Sequence, residues 1–541
     1  MPIANLPTEL ICAIFELVVK LDNKPTMVSI GWTLAQVCVS WAKLLVGPSL
    51  SSVWSRLIIR EDLIRERALD ADELRAIRQV LKAVVESRPD GAEPGPEDNQ
   101  LYEAFVAAMP KLQVSNDIQP SRHAVVELLS LTLMLSRNHP LSVSTERSSS
   151  TPIPYTPWIR HLSEHEHASD RWQHVQLLVD QYPPLIFPNR DYPLLETLEI
   201  DVLFKSPIPA CEWRPPHPTL QICSAPCLRR VTVRIKGSKA VRARRYIKMW
   251  LPRSHITHLE LDGKLFFLKV FAVRKDPQES LRTEPEPALL SLPNLISLQI
   301  NYEFIELAKL HTPQLRRLVV VESNMSASTT STSDDYYSAL LTLLANSRCT
   351  LESLEFRIMR PGFLGLSNPT LSRILENSGP RRLSFCVVES RSLLSSINWE
   401  AMGSLQDIES LELQTIDPEP EPEEEGDAIR EGSIRLEEKP DPEWALSFLR
   451  MVYERLTSLR TLRLELKDVY GQEAFRSQAA LDSITRVRER GVLVVEDCGG
   501  QVRFPRAHRD LLPLNLIPAL WSVDNIVGGR STRQNDSSLD D

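Results

Sequence analysis

YPLLETLEI, residues 192–200, sets Leu195, Leu198 and Ile200 three and then two positions apart behind a proline. A spacing of two is the period of a strand with one buried face, and a proline just ahead of it marks where the chain turns. The same core, L/I-x-x-L/V-x-[LIVF], returns in APCLRRVTV, ITHLEL, LPNLISLQI, TPQLRRLVV, TLESLEF, DIESLEL and LTSLRTLRL, beginning at Leu228, Ile256, Leu295, Leu315, Leu351, Ile408 and Leu459. In four of the eight, Pro193, Pro226, Pro293 and Pro313 stand two residues before the first leucine. Successive starts lie between 20 residues apart (295 to 315) and 57 (351 to 408), and the longest gap holds a degenerate copy, RRLSFCVV, at 381–388.

The L-x-x-L-x-L string resembles the strand segment of leucine-rich repeats, whose period is about 20–29 residues. That resemblance implies an α/β solenoid over 128–527, in which alternating apolar residues fill a shared core and the residues between them face the concave surface. No repeat buries its own core, so neighbours must stack. The asparagine or cysteine that closes a regular repeat is absent; its places hold Leu203, Lys236, Lys264, Glu303, Ser323, Met359, Ile416 and Lys467. The array is therefore irregular, with long and variable connections. The other reading is a set of proline-bounded amphipathic strands in a different α/β fold. SASTTSTSDD (326–335) and the Pro/Glu-rich 417–441, opening DPEPEPEEEGD, are too polar to pack and predict disordered insertions; GGRSTRQNDSSLDD (528–541) predicts a disordered tail.

Upstream, LLSLTLMLSRNHPLSVS (128–144) predicts a helix, a turn at Asn138-His139-Pro140 and a strand, and ASDRWQHVQLLV (168–179) ends in another strand. The connector 61–127 holds a charged helical stretch at 61–86 and a polar loop at 88–100, and SSSTPIPYTP (148–157) is a further loop. At the N-terminus, NLPTELICAIFELVV (5–19) predicts a helix that is apolar over far more than the usual stripe. Glu9, Cys12, Ala13, Glu16 and Lys20 form one narrow polar or small band, and Leu10, Ile11, Ile14, Phe15, Leu17, Val18 and Val19 take the rest. Such a helix is wanted on two sides. Pro7 fits the first helical position and Glu9 complements the helix dipole. LDNKPTMVSIGW (21–32) reads as a broken connector, LAQVCVSWAKLL (34–45) as a second helix, GPSLSSVW (47–54) as a turn and SRLIIR (55–60) as a short strand. A unit of fewer than sixty residues buries too little of itself to stand alone.

Leu6-Pro7-Thr8-Glu9-Leu10-Ile11, then Ile14-Phe15, Val37-Cys38-Val39-Ser40-Trp41 and Leu50 to Val53-Trp54 resemble the F-box: Leu-Pro-x-Glu, Ile-Phe, Val-Cys-x-x-Trp and a closing Leu-x-x-x-Trp, in order, over residues 1–60. The connector from Phe15 to Val37 is longer than is usual in that family. The resemblance implies that the segment packs against a Skp-type adaptor, which joins it to a cullin scaffold carrying the ubiquitin-conjugating machinery. Leu6, Pro7, Ile11, Ile14, Phe15, Val37 and Trp41 would then form the adaptor face or the small core behind it, and Trp54 would fix the F-box to the domain after it. Pro140, Arg171-Trp172 and the P-x-L-x-x-L strings look like the repeat-containing F-box proteins abundant in fungi. The implied function is substrate recognition in a Skp-cullin-F-box type E3 ubiquitin ligase, with an unknown protein substrate held on the repeats. The alternative is a protein-interaction scaffold that drives no ubiquitin transfer.

The rest of the sequence sets limits. The 541 residues carry 62 basic and 71 acidic side chains, a net charge of −9 that argues against nucleic acid as the partner. Eight cysteines are scattered, Cys223 and Cys227 being the nearest pair, and they read as free thiols of a cytoplasmic or nuclear protein. No apolar run reaches the ~18–20 residues of a membrane span, and the N-terminal helix lacks the basic flank of a signal peptide. Phosphate-loop, dinucleotide, nucleophile-elbow and H-E-x-x-H strings are absent, so no enzyme, metal or cofactor is expected. His161, His165, His167 and His174 have partial metal spacing but no completing ligand, and read as a solvated face. One run stands out: Arg229, Arg230, Arg234, Lys236, Lys239, Arg242, Arg244, Arg245 and Lys248 without an acid among them. It could receive phosphate or acidic side chains of a ligand, serve as a nuclear-import signal, or pair with acids elsewhere in the chain.

Overall fold

The structure, a computed structural model, describes residues 6–21, 29–59 except 36, 122–145, 168–180, 191–204, 219–237 except 223, 247–250, 255–262, 266–267, 290–301, 305–322, 333–358, 368–387, 405–415, 442–467 and 469–497, with single positions at 75, 78, 79, 82 and 162. It is a mixed α/β fold built on one large parallel sheet.

Three helices open the chain, α1 (Thr8–Leu21), α2 (Ile30–Ala35) and α3 (Val39–Val46), followed by 3₁₀ turns over Pro48–Ser55 and β1 (Arg56–Ile59). Next come α4 (Arg122–Leu135), β2 (Leu141–Thr145), β3 (Trp172–Asp180), β4 (Thr197–Phe204), β5 (Thr219–Gln221), β6 (Arg230–Gly237), β7 (Ile247–Trp250), β8 (His258–Asp262), β9 (Phe266–Phe267), β10 (Leu290–Ser291), β11 (Ser297–Asn301), β12 (Leu310–His311) and β13 (Arg317–Glu322). The last third alternates: α5 (Ser333–Ser347), β14 (Ser353–Ile358), α6 (Asn368–Ser378), β15 (Arg382–Val387), β16 (Ser410–Thr415), α7 (Pro442–Arg455), β17 (Thr461–Glu465), α8 (Val469–Phe475), α9 (Gln478–Glu489) and β18 (Leu493–Asp497).

Thirteen strands lie side by side in the order β1-β2-β3-β4-β6-β8-β11-β13-β14-β15-β16-β17-β18. That is chain order without one reversal, unlike an open doubly wound sheet, where strand order turns back at a switch point. Each predicted repeat core lands in this sheet, the degenerate one as β15. The register explains the leucines. One continuous row takes Leu57, Val143, Val175, Leu198, Val231, Leu259, Leu298, Leu318, Leu354, Leu383, Leu411, Leu462 and Val494, one from every strand and all buried. Two residues on, a second buried row includes Ile300, Val320, Phe356, Phe385 and Leu413, with Phe356 and Phe385 stacked at 5.6 Å between ring centroids.

The prolines have a specific task. Leu195, Leu228, Leu295 and Leu315 donate their backbone N–H to the carbonyls of Tyr192, Ala225, Leu292 and Thr312, closing four-residue turns. Pro193, Pro226, Pro293 and Pro313 occupy the second position of those turns, where a fixed φ is already correct. Two of these turns lead from β10 into β11 and from β12 into β13, and β10 pairs with β12 in a small second sheet. β5, β7 and β9 form a third. Neither was expected from sequence, nor was β18, which follows α9 through Gly491 at φ +84, a left-handed position that stops the helix.

Several expectations change. α1 starts at Thr8, and Pro7 sits just outside it with its carbonyl accepting from Ile11. The helix expected over 34–45 is two, α2 and α3, with Val37 and Cys38 outside both, and α2 takes in the end of the segment read as a connector. Ser333 to Asp335, read as the end of a polar loop, belong to the first turn of α5. The loops at 88–100 and 148–157, the insertion at 417–441 and the tail at 528–541 lie outside the described residues, as do 326–332 and nearly all of 61–86. β1 is the edge strand of the large sheet, so that sheet begins within residues 1–60.

A pair of tryptophans joins the opening helices to the sheet. Trp32 and Trp54 are both buried and meet edge to face at 5.1 Å. The Trp54 indole N–H donates to the Leu45 carbonyl at 2.7 Å, and the Trp32 indole N–H to the Thr132 hydroxyl on α4 at 3.0 Å. Trp54 was expected to make the junction; its segment does pack on α4 and β1, and Trp32 adds the bond to Thr132. Gly31 gives them room, since a Cβ there would stand 2.7 Å from the Trp54 ring. Gly31→Ala is therefore expected to destabilise by about 1–3 kcal/mol through overpacking, although alanine in an open helix would gain ~1 kcal/mol over glycine. Urea unfolding reads the sign directly, and a stabilised variant would contradict this packing.

Candidate functional site

α1 carries two apolar faces with different fates. Ile11 and Phe15 are buried, and Val18 and Val19 half-buried, where the helix packs on the 3₁₀ turns of Pro48–Ser55. Phe15 meets the Trp41 ring edge-on at 4.6 Å, and Arg56 on β1 donates to the Val19 carbonyl, tying the far end of the helix down. On the other side Leu10 is 52%, Ile14 41% and Leu17 53% exposed. At 100° per residue these three span an arc of only about 60°. Exposed apolar residues scattered singly need no explanation, but three aligned on one helix make a patch. The polar band of Glu9, Ala13 and Glu16, all exposed, borders it. Cys12 lies half-buried at the edge of the packed face, and burial, then Glu16 and Glu9, push its thiol above the ordinary range.

The residues singled out from sequence separate accordingly. Ile14 and Val37 are surface side chains, Val37 being 57% exposed in the break between α2 and α3. Leu6 and Trp41 are half-buried, Pro7 is exposed, and Ile11 and Phe15 belong to the core. Leu10 and Leu17, the strongest members of the exposed face, were visible in the sequence only as part of a generally greasy helix.

The outward face of the large sheet is a lattice of charge. Arg234 on β6 reaches Glu260 at 2.8 Å, Asp201 at 3.6 Å and Glu199 at 4.0 Å, crossing three strands. Glu355 on β14 is held by Arg357 at 2.6 Å and Arg317 at 3.2 Å, and Arg463 on β17 bridges Glu412 and Glu465. The basic run is thus no single patch. Arg229 and Arg230 are exposed, and Arg234 is neutralised by its own sheet. The side chains of Lys236 and Lys248 lie outside the described residues, with Lys239, Arg242, Arg244 and Arg245 entirely so, and Lys248 belongs to the separate sheet of β7. For Arg234, pairing within the chain is the reading that holds.

Beside Glu355, the buried Cys386 thiol lies 3.8 Å from its carboxylate and 3.6 Å from the Gln414 amide oxygen. Burial and then Glu355 push this thiol up to about 11. Cys386 is therefore expected to resist iodoacetamide at pH 8 while the exposed Cys38 reacts, as peptide mass mapping would read. Because the neutral thiol is the form the fold favours, its contribution is complete below pH 9 and is lost as pH rises toward about 11. Alkylation of Cys386 as fast as Cys38 would contradict its burial.

Among the described residues no helix is long and apolar enough to cross a membrane, no cluster of three or more His, Cys, Asp or Glu could hold a metal, and Cys12, Cys38, Cys227, Cys349 and Cys386 are free thiols. His174 contacts the Thr197 hydroxyl on β4; His161, His165 and His167 lie outside the described residues. No family model matches the chain, and no curated protein matches it.

Proposed function

We propose that this chain is the substrate-recruiting subunit of a Skp-cullin-F-box type ubiquitin ligase, docking the adaptor through its N-terminal helices and a protein substrate through an irregular leucine-rich-repeat solenoid. The observation that carries the proposal is the second apolar face of α1. A helix already packed through Ile11 and Phe15 has no internal reason to hold Leu10, Ile14 and Leu17 in water, and each of these half-exposed side chains forgoes about 1 kcal/mol of burial. The F-box-like string runs through that helix, with Val37 and Trp41 in the neighbouring segments. Thirteen parallel strands in unbroken chain order, six of them entered by a turn closed at Leu195, Leu228, Leu295, Leu315, Ile408 or Leu459, support the solenoid part of the reading. The chain would perform no chemistry itself. It would raise the local concentration of a substrate's lysines near the charged conjugating enzyme.

The test is capture of the full chain by purified Skp-type adaptor, then by adaptor with cullin. Capture by both supports the ligase subunit, and capture by adaptor alone favours the scaffold without ubiquitin transfer. Failure of adaptor capture by a folded chain would refute the docking role of α1.

A further inference from the structure

Three of the strands are entered through the same dipeptide, Arg229-Arg230, Arg316-Arg317 and Arg381-Arg382, at the foot of β6, β13 and β15. In sequence they are unrelated, up to 153 residues apart (229 to 382). The register brings them level. Arg230, His258, Ser297, Arg317, Ser353 and Arg382 are consecutive partners in one row across β6, β8, β11, β13, β14 and β15. All six side chains are exposed or half-exposed on the outward face, and none is an acid. Carboxylates flank the row: two residues further along the strands Glu260 is held by Arg234, Glu355 by Arg357 and Arg317, and Glu412 by Arg463, and just before the row Glu352 pairs with Arg316.

Among the described residues, only Arg317 of the row's three arginines holds a carboxylate. Among the described residues Arg230, Arg381 and Arg382 make no ion pair. Arg317 shares Glu355 with Arg357, and the Arg316–Glu352 pair at 3.1 Å is surface-exposed, a kind worth little. His258, between Arg230 and Arg317, is lowered by burial and then by those two arginines, which marks the local field as positive within a chain of net charge −9.

We propose that this row is a docking track for a phosphorylated peptide lying extended across the strands. The inference rests on reading the sheet's outward face as the substrate-holding face, and it names what that face recognises. Strands about 4.8 Å apart place Arg230 and Arg317 about 14 Å from each other, and Arg317 and Arg382 about 10 Å. An extended peptide rising ~3.3 Å per residue meets those positions with anionic residues four and then three apart. Between the arginines stand His258, Ser297 and Ser353, which supply further donors. A phosphate, with three acceptor oxygens and a charge near −2, can use an arginine and a neighbouring hydroxyl together. A carboxylate is satisfied by one guanidinium. Exposed aromatic side chains of the sort that stack nucleic-acid bases are missing from the row, which favours a peptide over a nucleic acid.

The probe is a Gly/Ser peptide of about twelve residues with phosphoserines spaced four and three apart, its unphosphorylated and glutamate counterparts, and a thymidine oligonucleotide of similar length. Binding to the full chain is followed by fluorescence anisotropy without any adaptor, so the result is independent of adaptor capture. The expected result is salt-sensitive binding of the phosphopeptide, at least ten-fold weaker for Arg382→Gln or Arg230→Gln, unchanged for the exposed but off-row Arg455→Gln, with the His258 ring signal in NMR titrating at higher pH once the phosphates are bound. Equal binding of the unphosphorylated peptide, indifference to both row variants, equal binding of the glutamate peptide, or tighter binding of the oligonucleotide would each overturn the assignment. Adaptor capture together with any of those outcomes would leave the ligase reading intact and this one refuted.

Discussion

Ile14→Asp combined with Leu17→Asp is expected to abolish capture by a Skp-type adaptor while the chain keeps its thermal transition. Both side chains already stand in water, so in the free protein a carboxylate replaces an exposed methyl surface at little cost, within about 0.5 kcal/mol per site. In a complex the same positions would be desolvated. Each aspartate would then remove an apolar anchor, worth roughly 2 kcal/mol or more when it is a hot spot, and bury an unmatched charge. Two such losses exceed three decades in affinity by the usual conversion of about 1.4 kcal/mol per ten-fold. Glu16→Gln, on the bordering polar band, serves as the control and should change capture little. Phe15→Asp is the wrong probe despite the resemblance that points to it. Phe15 is wholly buried against Trp41, so its aspartate would unfold the helix's packing, and a failed capture would say nothing about the surface. Unaltered capture by the folded Ile14/Leu17 variant would exclude this face as the docking surface.

The second large effect is structural. Trp32→Ala is expected to cost about 3–5 kcal/mol, the range for deleting a large buried aromatic. It leaves a cavity beside Trp54 and removes the indole donor to Thr132, the bond that joins α2 to α4. Trp32→Phe keeps most of the ring and should cost less, so the difference between the two variants separates packing from the hydrogen bond. Urea unfolding followed by tryptophan fluorescence measures both. If Trp32→Ala loses under 1 kcal/mol, the two tryptophans do not join the opening helices to the sheet.

The sheet was legible in the sequence because its signal is local and repeated. Leu198, Leu298, Leu354 and Leu411 sit at identical distances from the turn leucine or isoleucine before them, and the residues two further on repeat the pattern. The connections were not legible to the same degree. α2 escaped because its six residues hold too little periodicity, and its stability comes from Trp32 packing on Trp54 and α4, contacts up to 100 residues away in sequence. β18 escaped because Leu493, Val494 and Val495 lack the leucine spacing; parallel pairing with β17 makes them a strand. The candidate sites differ in the same way. The double apolar character of α1 could be read from NLPTELICAIFELVV, whereas which face would be covered depended on residues 48–55. The basic run failed as a single patch because sequence proximity grouped Arg230 with Arg234, and the strand's surroundings then gave them opposite fates: Arg234 met three carboxylates and Arg230 none. Arg230 shares its row instead with Arg317 and Arg382, far from it in the chain.

The unbroken correspondence between strand order and chain order bears on how the molecule is made. Each strand of the large sheet finds its earlier neighbour already synthesised, and none must wait for a partner still to come. A growing chain leaving the ribosome N-terminus first can therefore add β-strands one at a time to an existing edge, closing only the loop just completed. The unfinished molecule always presents one fresh edge, carried by the newest strand, and that edge is where a chaperone would act. A halted translation product would be a shorter version of the same object rather than a misassembled one.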